Sequence, residues 1–496
     1  MKIRQYIISG IAALCLASCS EWLDVQPTTE KDRDDLVQTA EGYKQMLYGT
    51  YINLTSQNLY GSNLSYGFLE VLANSYANTG TFFSSGNYNY TDATERSYVD
   101  GIWSSMYNNI ANVNSILLDI NEHKEIFKNG EYQLLAGEAY AMRAFMHFDL
   151  LRMFAPRYEG HENETAIPYI EKYEAARYPH ITSKQVIERV LRDLNIAQTL
   201  LKEGNDPILD GEQTITYNGS GNFKGNRQYR FNYWAVEALK ARIYLYTGNQ
   251  EHALTCAENV INSSSFRWIK ENEVAAGDMV FQSELILALD VPNLPTYYDS
   301  NFKNEKLSLS DGWGVYGQGF FSDANDYRFL YLMSNDKNNN KVISSKYKQT
   351  VGTSKQMKKQ TVPLIRLGEM YLIAAECQAE RNPQEAVSLL RELKLHRGYL
   401  AEGQGIDDNA TTEQINGYIR DEMRKETYGE GQHWFYMKRL NLNTMVMYSP
   451  WGTPVYYGTS WSNPITEATY KFPLPESEKE YGNIPANNNE ADTSKQ

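Results

Sequence analysis

The sequence is poor in cysteine and, beyond its N-terminal segment, has no long hydrophobic run. It contains 4 cysteines in 496 residues, which excludes a small domain held together by disulfides. No apolar run reaches the roughly 20 residues that a membrane-spanning helix needs. With 42% hydrophobic residues, a chain of this length can bury a large core, so we expect a folded protein and not a disordered one.

Basic residues are scarce relative to acidic ones. The chain has 47 Lys and Arg against 61 Asp and Glu, a formal net charge of −14, and it has no basic run. This balance argues against nucleic acid as a partner, because phosphate binding needs clustered cations. Tyrosine, in contrast, is abundant, with 38 Tyr against 17 Phe and 8 Trp. Such a surplus suits a polar recognition surface or a tyrosine-rich core.

Motifs for a cofactor, a metal ion or a catalytic nucleophile are missing. There is no HExxH and no GxSxG, and the 7 histidines never recur at metal-ligand spacing. Residues 312–317 match GxGxxG, but they lack the preceding buried strand and the following helix that dinucleotide binding needs. We therefore expect no cofactor, no metal and no catalytic residue. A carboxylate pair for glycoside hydrolysis stays open, because acidic residues are abundant.

The N-terminus has the pattern of an export signal. A basic start precedes the apolar segment 7–17, which is too short to span a bilayer. The segment ends in Leu16-Ala17-Ser18-Cys19, which resembles a bacterial lipobox. We therefore predict a cleaved lipoprotein signal peptide over 1–18, lipidation of Cys19 and a tether over 19–32 that anchors the chain to a membrane. An ordinary secretory signal is the alternative.

Two cysteines, Cys256 and Cys377, remain beyond the lipobox. Both lie on apolar stretches of predicted helices, without a CxxC pattern or a neighbouring histidine. Buried thiols are the favoured interpretation. A disulfide between them stays open, because an exported protein meets an oxidising environment.

Apolar residues recur at helical spacing along most of the chain. The sequence Thr182-Ser183-Lys184-Gln185 is a capping box and predicts the start of a helix. Further helices are predicted at about 103–128, 133–155, 231–247, 250–262, 363–380 and 413–428. Candidate strands are few and short, at about 279–290 and 342–350.

One pattern of helix, tight turn and helix occurs twice. The small residues Ala241 and Ala253 of the first copy match Ala374 and Ala386 of the second. Alanine at these positions lets paired helices approach closely. The pattern resembles tetratricopeptide-like helical hairpins and predicts a stacked helical scaffold.

Two segments, 74–100 and 290–360, combine aromatic residues with Asn, Ser and Gly and lose apolar periodicity. Loops of this length inside a helical scaffold are typically functional. Aromatic rings stack on the CH faces of sugars, and fixed polar groups bind the sugar hydroxyls, although a peptide or another protein surface fits the same chemistry. The stacking candidates are Tyr88, Tyr90, Tyr297, Trp313 and Tyr316, and the hydrogen-bonding candidates are Asn87, Asp92, Asn293 and Asp311. Anchoring of the loop is the alternative role for each aromatic residue.

Five ordered blocks of the chain resemble the SusD/RagB family of outer-membrane nutrient-binding lipoproteins. They are Glu138-Ala139-Tyr140-Ala141-Met142-Arg143-Ala144-Phe145, the segment 235–246, the segment 362–376, Ile419-Arg420-Asp421-Glu422 with Glu430-Gly431, and Lys471-Phe472-Pro473-Leu474-Pro475 with Glu478. The late block departs from the family's R-x-x-D-L-x-R-W pattern, because residues 433–440 read HWFYMKRL.

The resemblance implies a mostly α fold with a tetratricopeptide-like scaffold. We expect a single SusD-like domain over 33–496, with the scaffold at about 33–270 and 360–440 and a loop-rich insertion, carrying a little β structure, at about 271–359.

For function, the resemblance implies a lipid-anchored protein of the cell outer membrane that faces outwards. Such a protein captures oligosaccharides and delivers them to a SusC-like TonB-dependent transporter, without a catalytic step. A peptide-binding RagB-like member of the family is the first alternative, and a surface glycoside hydrolase is a less favoured one.

Overall fold

The computed structural model describes most of the chain between residues 33 and 485. The described residues are 33–76, 82, 85, 88–217, 222–303, 306–309, 321, 323, 325–336, 341–400, 405–443, 445–448, 454–457 and 465–485. The predicted signal peptide, Cys19 and the predicted tether lie outside them.

Helices dominate the described residues, as predicted. In chain order they are α1 Arg33–Leu36, α2 Ala40–Leu54, α3 Phe68–Leu72, α4 Ala93–Leu117, α5 Glu131–Phe154, α6 Ser183–Glu203, α7 Tyr233–Tyr246, α8 Gln250–Ile261, α9 Glu271–Ala275, α10 Leu294–Phe302, α11 Tyr327–Leu330, α12 Leu367–Gln378, α13 Pro383–Leu395, α14 Thr412–Glu426, α15 Gln432–Arg439 and α16 Glu476–Tyr481. None of these helices is both long and apolar enough to cross a membrane.

The strands of the described residues are short, and they form two-stranded antiparallel sheets. They are β1 Thr165–Pro168, β2 His180–Thr182, β3 Leu285–Asp290, β4 Met333–Asp336, β5 Lys341–Ser344, β6 Thr361–Arg366, β7 Met445–Tyr448 and β8 Pro454–Tyr457. The pairs are β1 with β2, β3 with β6, β4 with β5, and β7 with β8. The pair β3–β6 is almost completely buried and joins the insertion to the scaffold.

The scaffold is a stack of antiparallel helical hairpins. The hairpins α5–α6, α7–α8 and α12–α13 are consecutive layers, in which α6 packs on α7 and α8 packs on α12. Residues Ala241, Ala253, Ala374 and Ala386 are all fully buried, which allows the close approach predicted from the repeat. The predicted tetratricopeptide-like architecture is therefore confirmed.

Side-chain caps fix where several of these helices begin. The predicted capping box is present, because the Thr182 hydroxyl accepts from the Gln185 N–H at 3.3 Å while the Gln185 side chain accepts from the Thr182 N–H at 3.0 Å. In the two repeat copies, Asn249 caps α8 and Asn382 caps α13 through their side-chain oxygens. The second helix of each hairpin thus starts with the same device.

Two predicted helix boundaries are wrong. The helix predicted at 103–128 runs from Ala93 to Leu117, because Asp92 caps it earlier. The first residues of the helix predicted at 363–380 form β6 instead. Pairing with β3, which is distant in sequence, holds Thr361–Arg366 extended and overrides the local helical pattern.

Much of the tyrosine surplus lies in the core. Buried tyrosines include Tyr43, Tyr51, Tyr60, Tyr66, Tyr76, Tyr169 and Tyr347. Several of their hydroxyls donate to carboxylates, for example Tyr51 to Glu138 at 2.8 Å and Tyr60 to Asp149 at 2.6 Å. Tyrosine is therefore used here as a large apolar side chain that also satisfies a buried acceptor.

Both described cysteines, Cys256 and Cys377, are buried and free. Burial raises the pKa of each thiol to about 12. These thiols are therefore protonated and unreactive at neutral pH.

Candidate functional site

The bases of the two aromatic loop segments meet in one cluster of rings, which we call the aromatic junction: Tyr66, Tyr76, Phe302, Tyr347 and Tyr428. The Tyr76 ring, from the first segment, lies 6.1 Å from the ring of Phe302, in the second, and 5.9 Å from that of Tyr428. Tyr66 lies 5.6 Å from Phe302 and 4.7 Å from Tyr347. Segments that are far apart in sequence therefore start from a common base.

The hydroxyls of the junction are directed into the protein. Tyr76 donates to the Tyr66 carbonyl at 2.7 Å, Tyr66 to the Gly61 carbonyl at 2.8 Å, and Tyr347 to the Gly429 carbonyl at 2.7 Å. Burial raises the pKa of Tyr76 and Tyr347 well above the usual value, so both hydroxyls remain donors. The junction thus supports the two loops, and the hydroxyls of Tyr66, Tyr76 and Tyr347 are already used.

A buried carboxylate, Glu70, lies beside the junction. It accepts a hydrogen bond from the Gly431 N–H at 3.0 Å. Gly431 has a φ of +72°, and a Cβ there would lie 2.2 Å from the Leu64 carbonyl oxygen, so no larger residue fits. Burial raises the pKa of Glu70 to about 7.

Helix α10 presents two of the predicted ligand-binding residues at the edge of the junction. Asn293 is the exposed residue immediately before the helix, and its side chain makes no capping hydrogen bond. Tyr297 is half-buried, one turn further on, and packs against Gly61. Asn301 fixes the helix by donating to the Tyr297 carbonyl at 2.8 Å and to the Ser62 hydroxyl at 3.3 Å.

A cleft of about 220 Å³ runs along the outer side of α10. Its other wall is formed by residues 347–349. The exposed side chains of Thr296, Asp299 and Lys348 line it and offer both donors and acceptors. The cleft is smaller than the roughly 300–1,000 Å³ typical of enclosed ligand pockets, so it suits one unit of a larger ligand.

Tyr88 and Tyr90 hold their loop against the core. The Tyr88 ring stacks on Trp434 at 6.2 Å, and its hydroxyl donates to the Leu72 carbonyl at 3.2 Å. The Tyr90 ring packs edge-on against Phe472 at 5.4 Å, and its hydroxyl donates to the Thr469 carbonyl at 3.0 Å. In this geometry Tyr88 and Tyr90 anchor their loop, which is the alternative role expected for each aromatic candidate.

Asp92 is engaged in a helix cap. Its carboxylate accepts from the Thr94 N–H at 2.9 Å at the start of α4. The remaining predicted ligand-binding residues, Asn87, Asp311, Trp313 and Tyr316, lie outside the described residues.

Charged residues of the sequence blocks form buried ion pairs. Glu138 accepts from Arg227 at 2.6 Å and from Arg230 at 2.9 Å. Arg143, in the same block, donates to both oxygens of Asp193 at 2.7 and 3.0 Å. These pairs join α5 to α6 and to the segment that precedes α7, so the motif residues serve the fold.

The carboxylate of Glu426, at the end of α14, is paired with three arginines. It accepts from Arg366 at 2.6 Å, from Arg397 at 2.6 and 2.9 Å, and from Arg328 at 3.1 Å. Burial raises the pKa of Glu426, but the guanidinium groups of Arg397 and Arg366 outweigh this and hold it well below the usual range. Arg328 belongs to the insertion, so this carboxylate ties the insertion to the scaffold.

Sequence reasoning missed Arg328, Arg397 and Glu426. Each lies outside the quoted blocks, and no spacing along the chain links them. Only the folded arrangement brings them together, so the sequence carried no signal for this cluster.

His147 occupies a place in the core. Its Nε2 accepts from the Ile170 N–H at 3.0 Å, and its Nδ1 lies 2.9 Å from the Arg143 carbonyl oxygen, so Nδ1 carries the proton. Burial lowers the pKa of His147 to about 3. Across the part of the chain that the structure describes, no group of three His, Cys, Asp or Glu residues could hold a metal ion.

Stacked helical hairpins with a loop-rich insertion define the class: a tetratricopeptide-like helical protein. Two family models match separate parts of the chain. A SusD-like model, described as starch-binding and associating with the outer membrane, matches residues 21–209, and the SusD family model matches residues 295–492. The chain belongs to the SusD family.

Individual relatives agree with this assignment. A SusD-like protein of Formosa agariphila is 22% identical over 87% of this chain and 90% of its own length. A SusD superfamily structure from Bacteroides fragilis has a TM-score of 0.68 at 21% identity, covering 91% of this chain and 100% of that one. A SusD-like carbohydrate-binding protein from Bacteroides vulgatus has a TM-score of 0.67 at 16% identity, covering 90% and 97%. At such identities the structural likeness shows the fold.

Proposed function

We propose that the protein is a cell-surface glycan-binding lipoprotein of the outer membrane. In this proposal it captures oligosaccharides and delivers them to a SusC-like TonB-dependent transporter. The observation that carries the proposal is the aromatic junction, which brings two loop segments rich in aromatic and amide side chains to one place. Membership in a family with starch-binding and carbohydrate-binding relatives supports the choice of ligand.

Recognition in this proposal is divided among the predicted residues. Tyr297, Trp313 and Tyr316 stack on sugar rings, and Asn87, Asn293 and Asp311 bind sugar hydroxyls. The proposed supporting residues are Tyr88, Tyr90 and Asp92, whose polar atoms already bind within the protein. Of the two described hydrogen-bonding candidates, Asn293 is better placed than Asp92, because it is exposed and makes no capping hydrogen bond.

The proposal includes no catalytic step. Glu138 and Glu426, which are fully buried, are each surrounded by arginines. A glycoside hydrolase needs one carboxyl group kept protonated and a second one facing the substrate. Paired, buried carboxylates of this kind supply neither.

Calorimetry of the soluble protein from Ser20 onward, against oligosaccharides and mixed peptides, tests the ligand class. We expect binding of oligosaccharides and none of peptides. Binding of peptides alone would replace the proposal with the RagB-like alternative, and sugar products after long incubation would contradict the absence of catalysis.

A matched pair of variants locates the site. Tyr297→Ala removes the proposed stacking face, while Tyr173→Ala removes a tyrosine that is 47% exposed in the loop between β1 and β2. We expect weaker oligosaccharide binding only in the first variant. Equal loss in both would place the site elsewhere.

The lipid anchor is tested separately in cells. A chain with Cys19→Ala, labelled with an alkyne fatty acid, should lose the label and leave the membrane fraction. Retention of the label would remove Cys19 as the acylated residue.

A further inference from the structure

A small cavity lies inside the scaffold, where α5, α7, α12 and α15 meet. Its volume is about 40 Å³, and it shares no lining residue with the cleft beside α10. Roughly 10–15 Å³ of such space holds one water molecule. The cavity therefore has room for a few waters or for one ion of halide size.

Three buried hydrogen-bond donors at this cavity lack a partner among the described residues. They are Nε of Arg152, Nη1 of Arg242 and the hydroxyl of Tyr246, and all three residues line the cavity. Arg152 is 2% exposed, and the other two are 6% exposed. Leaving one buried donor unpaired costs roughly 1–3 kcal/mol, and more when it is charged. Three at one cavity indicate an occupant that accepts hydrogen bonds.

The carboxylate and amide oxygens that line the cavity are already engaged. Both oxygens of Glu369 accept from Arg242, each at 2.7 Å. The Gln432 side-chain oxygen accepts from Arg152 at 3.1 Å. The unpaired N–H groups of Arg152 and Arg242 can only donate, and the Tyr246 hydroxyl can donate as well, so a single water can accept from only two of these three groups.

On the cavity wall itself cationic groups outnumber anionic ones, although each arginine there is paired with a carboxylate. The guanidinium groups of Arg152, Arg242 and Arg439 line it together with one carboxylate, that of Glu369. Burial lowers the pKa of Arg152, and the neighbouring Arg242 lowers it further, against the opposing effect of Asp149. Asp149 and Glu376 pair with Arg152 and Arg439 but do not line the cavity.

The Arg152 guanidinium cannot turn to find another partner. Its Cζ lies 4.6 Å from the centre of the Phe148 ring and 3.7 Å from that of Phe435. Its two terminal nitrogens are held by Asp149 and Gln432. The free Nε–H is thus fixed in place.

We propose that this cavity binds one small monovalent anion of the size of chloride, held by Arg152, Arg242 and Tyr246. The bound ion joins α5 to α7 and stabilises the stack of hairpins. This site is separate from the proposed glycan site and does not depend on it.

The test measures thermal unfolding of the full chain in detergent, in sodium chloride and in sodium gluconate at equal ionic strength. Gluconate is too large for the cavity, so we expect Tm to rise with chloride along a saturating curve and not with gluconate. Tyr246→Phe removes one donor, and we expect it to need about tenfold more chloride for half the effect. Tyr244→Phe, on the same helix, is the matched control and should behave as the parent protein.

Identical curves in chloride and gluconate would overturn the proposal, because they would show a hydrated cavity only. An unchanged chloride dependence in Tyr246→Phe would also overturn it. Crystals grown in sodium bromide give an independent readout: an anomalous peak in contact with Arg242 Nη1 supports the site, and a cavity that holds only water contradicts it.

Discussion

The scaffold and the insertion use the same kinds of polar residue in opposite ways. In the scaffold, Glu138 and Arg143 are buried and paired with side chains distant in sequence. In the insertion, Asn293 just before α10 and Asp299 on it are exposed. The Asn293 side chain makes no capping hydrogen bond, and the Asp299 carboxylate lies 3.7 Å from the Lys303 ammonium group. The recognisable sequence blocks of this family therefore serve the fold, and in our proposal the ligand is bound by residues outside them.

Besides the strand pair β3–β6, two side-chain clusters join the two regions. Glu426 ties Arg328 of the insertion to Arg366 and Arg397 of the scaffold, and Tyr76 and Phe302 meet in the aromatic junction. If this account is right, changes in the scaffold alter stability and changes in the exposed loops alter binding.

The largest effect is expected for Glu426→Gln. It leaves three buried guanidinium groups without their shared counter-charge, so the free energy of unfolding should fall by about 3–5 kcal/mol. Urea denaturation measures this loss. The exposed Glu380→Gln, in the turn after α12, is the control and should stay within about 0.5 kcal/mol of the parent. Similar stability of the two variants would contradict the role of Glu426.

Glu70 gives a pH-dependent test of the junction. Burial raises the pKa of Glu70 to about 7, above its unfolded value, so its ionisation favours unfolding as the pH rises through this range. Glu70→Gln should therefore gain stability relative to the parent between about pH 5 and about pH 8, by on the order of 1–3 kcal/mol.

Chemical denaturation at several pH values measures this difference. Glu41→Gln, at an exposed position on α2, should show no such trend. A gain for Glu70→Gln that is the same at every pH would contradict the raised pKa.

The smallest effect is expected at Asp92. Because its carboxylate caps α4, Asp92→Ala should lower Tm by about 2 °C and leave oligosaccharide affinity unchanged. Asp92→Asn keeps an equally good cap and should match the parent. Weaker oligosaccharide binding in Asp92→Asn with an unchanged Tm would indicate that Asp92 contacts the ligand.

The sequence could predict features that depend on neighbouring residues, but not features that depend on contacts between residues far apart in the chain. The capping box at Thr182 and the alanine pairs of the repeat are local patterns, so both hairpins and their caps were predictable. The strand Thr361–Arg366 was not, because its extended form depends on pairing with Leu285–Asp290. The same limit applies to the site: aromatic loops were visible in the sequence, but their convergence at Tyr76 and Phe302 depends on the fold. For the same reason, the sequence alone could not indicate which tyrosines, such as Tyr88, face inwards.

One paired measurement tests the central claim most directly: oligosaccharide affinity by calorimetry and unfolding by urea, in Trp313→Ala and in Glu426→Gln. The account predicts that Trp313→Ala weakens binding by roughly 1–3 kcal/mol and leaves stability unchanged. For Glu426→Gln it predicts lower stability with full affinity wherever the protein is folded. Parent-like affinity in Trp313→Ala and Tyr297→Ala, or lost affinity in folded Glu426→Gln, would contradict the division between a scaffold that folds and loops that bind.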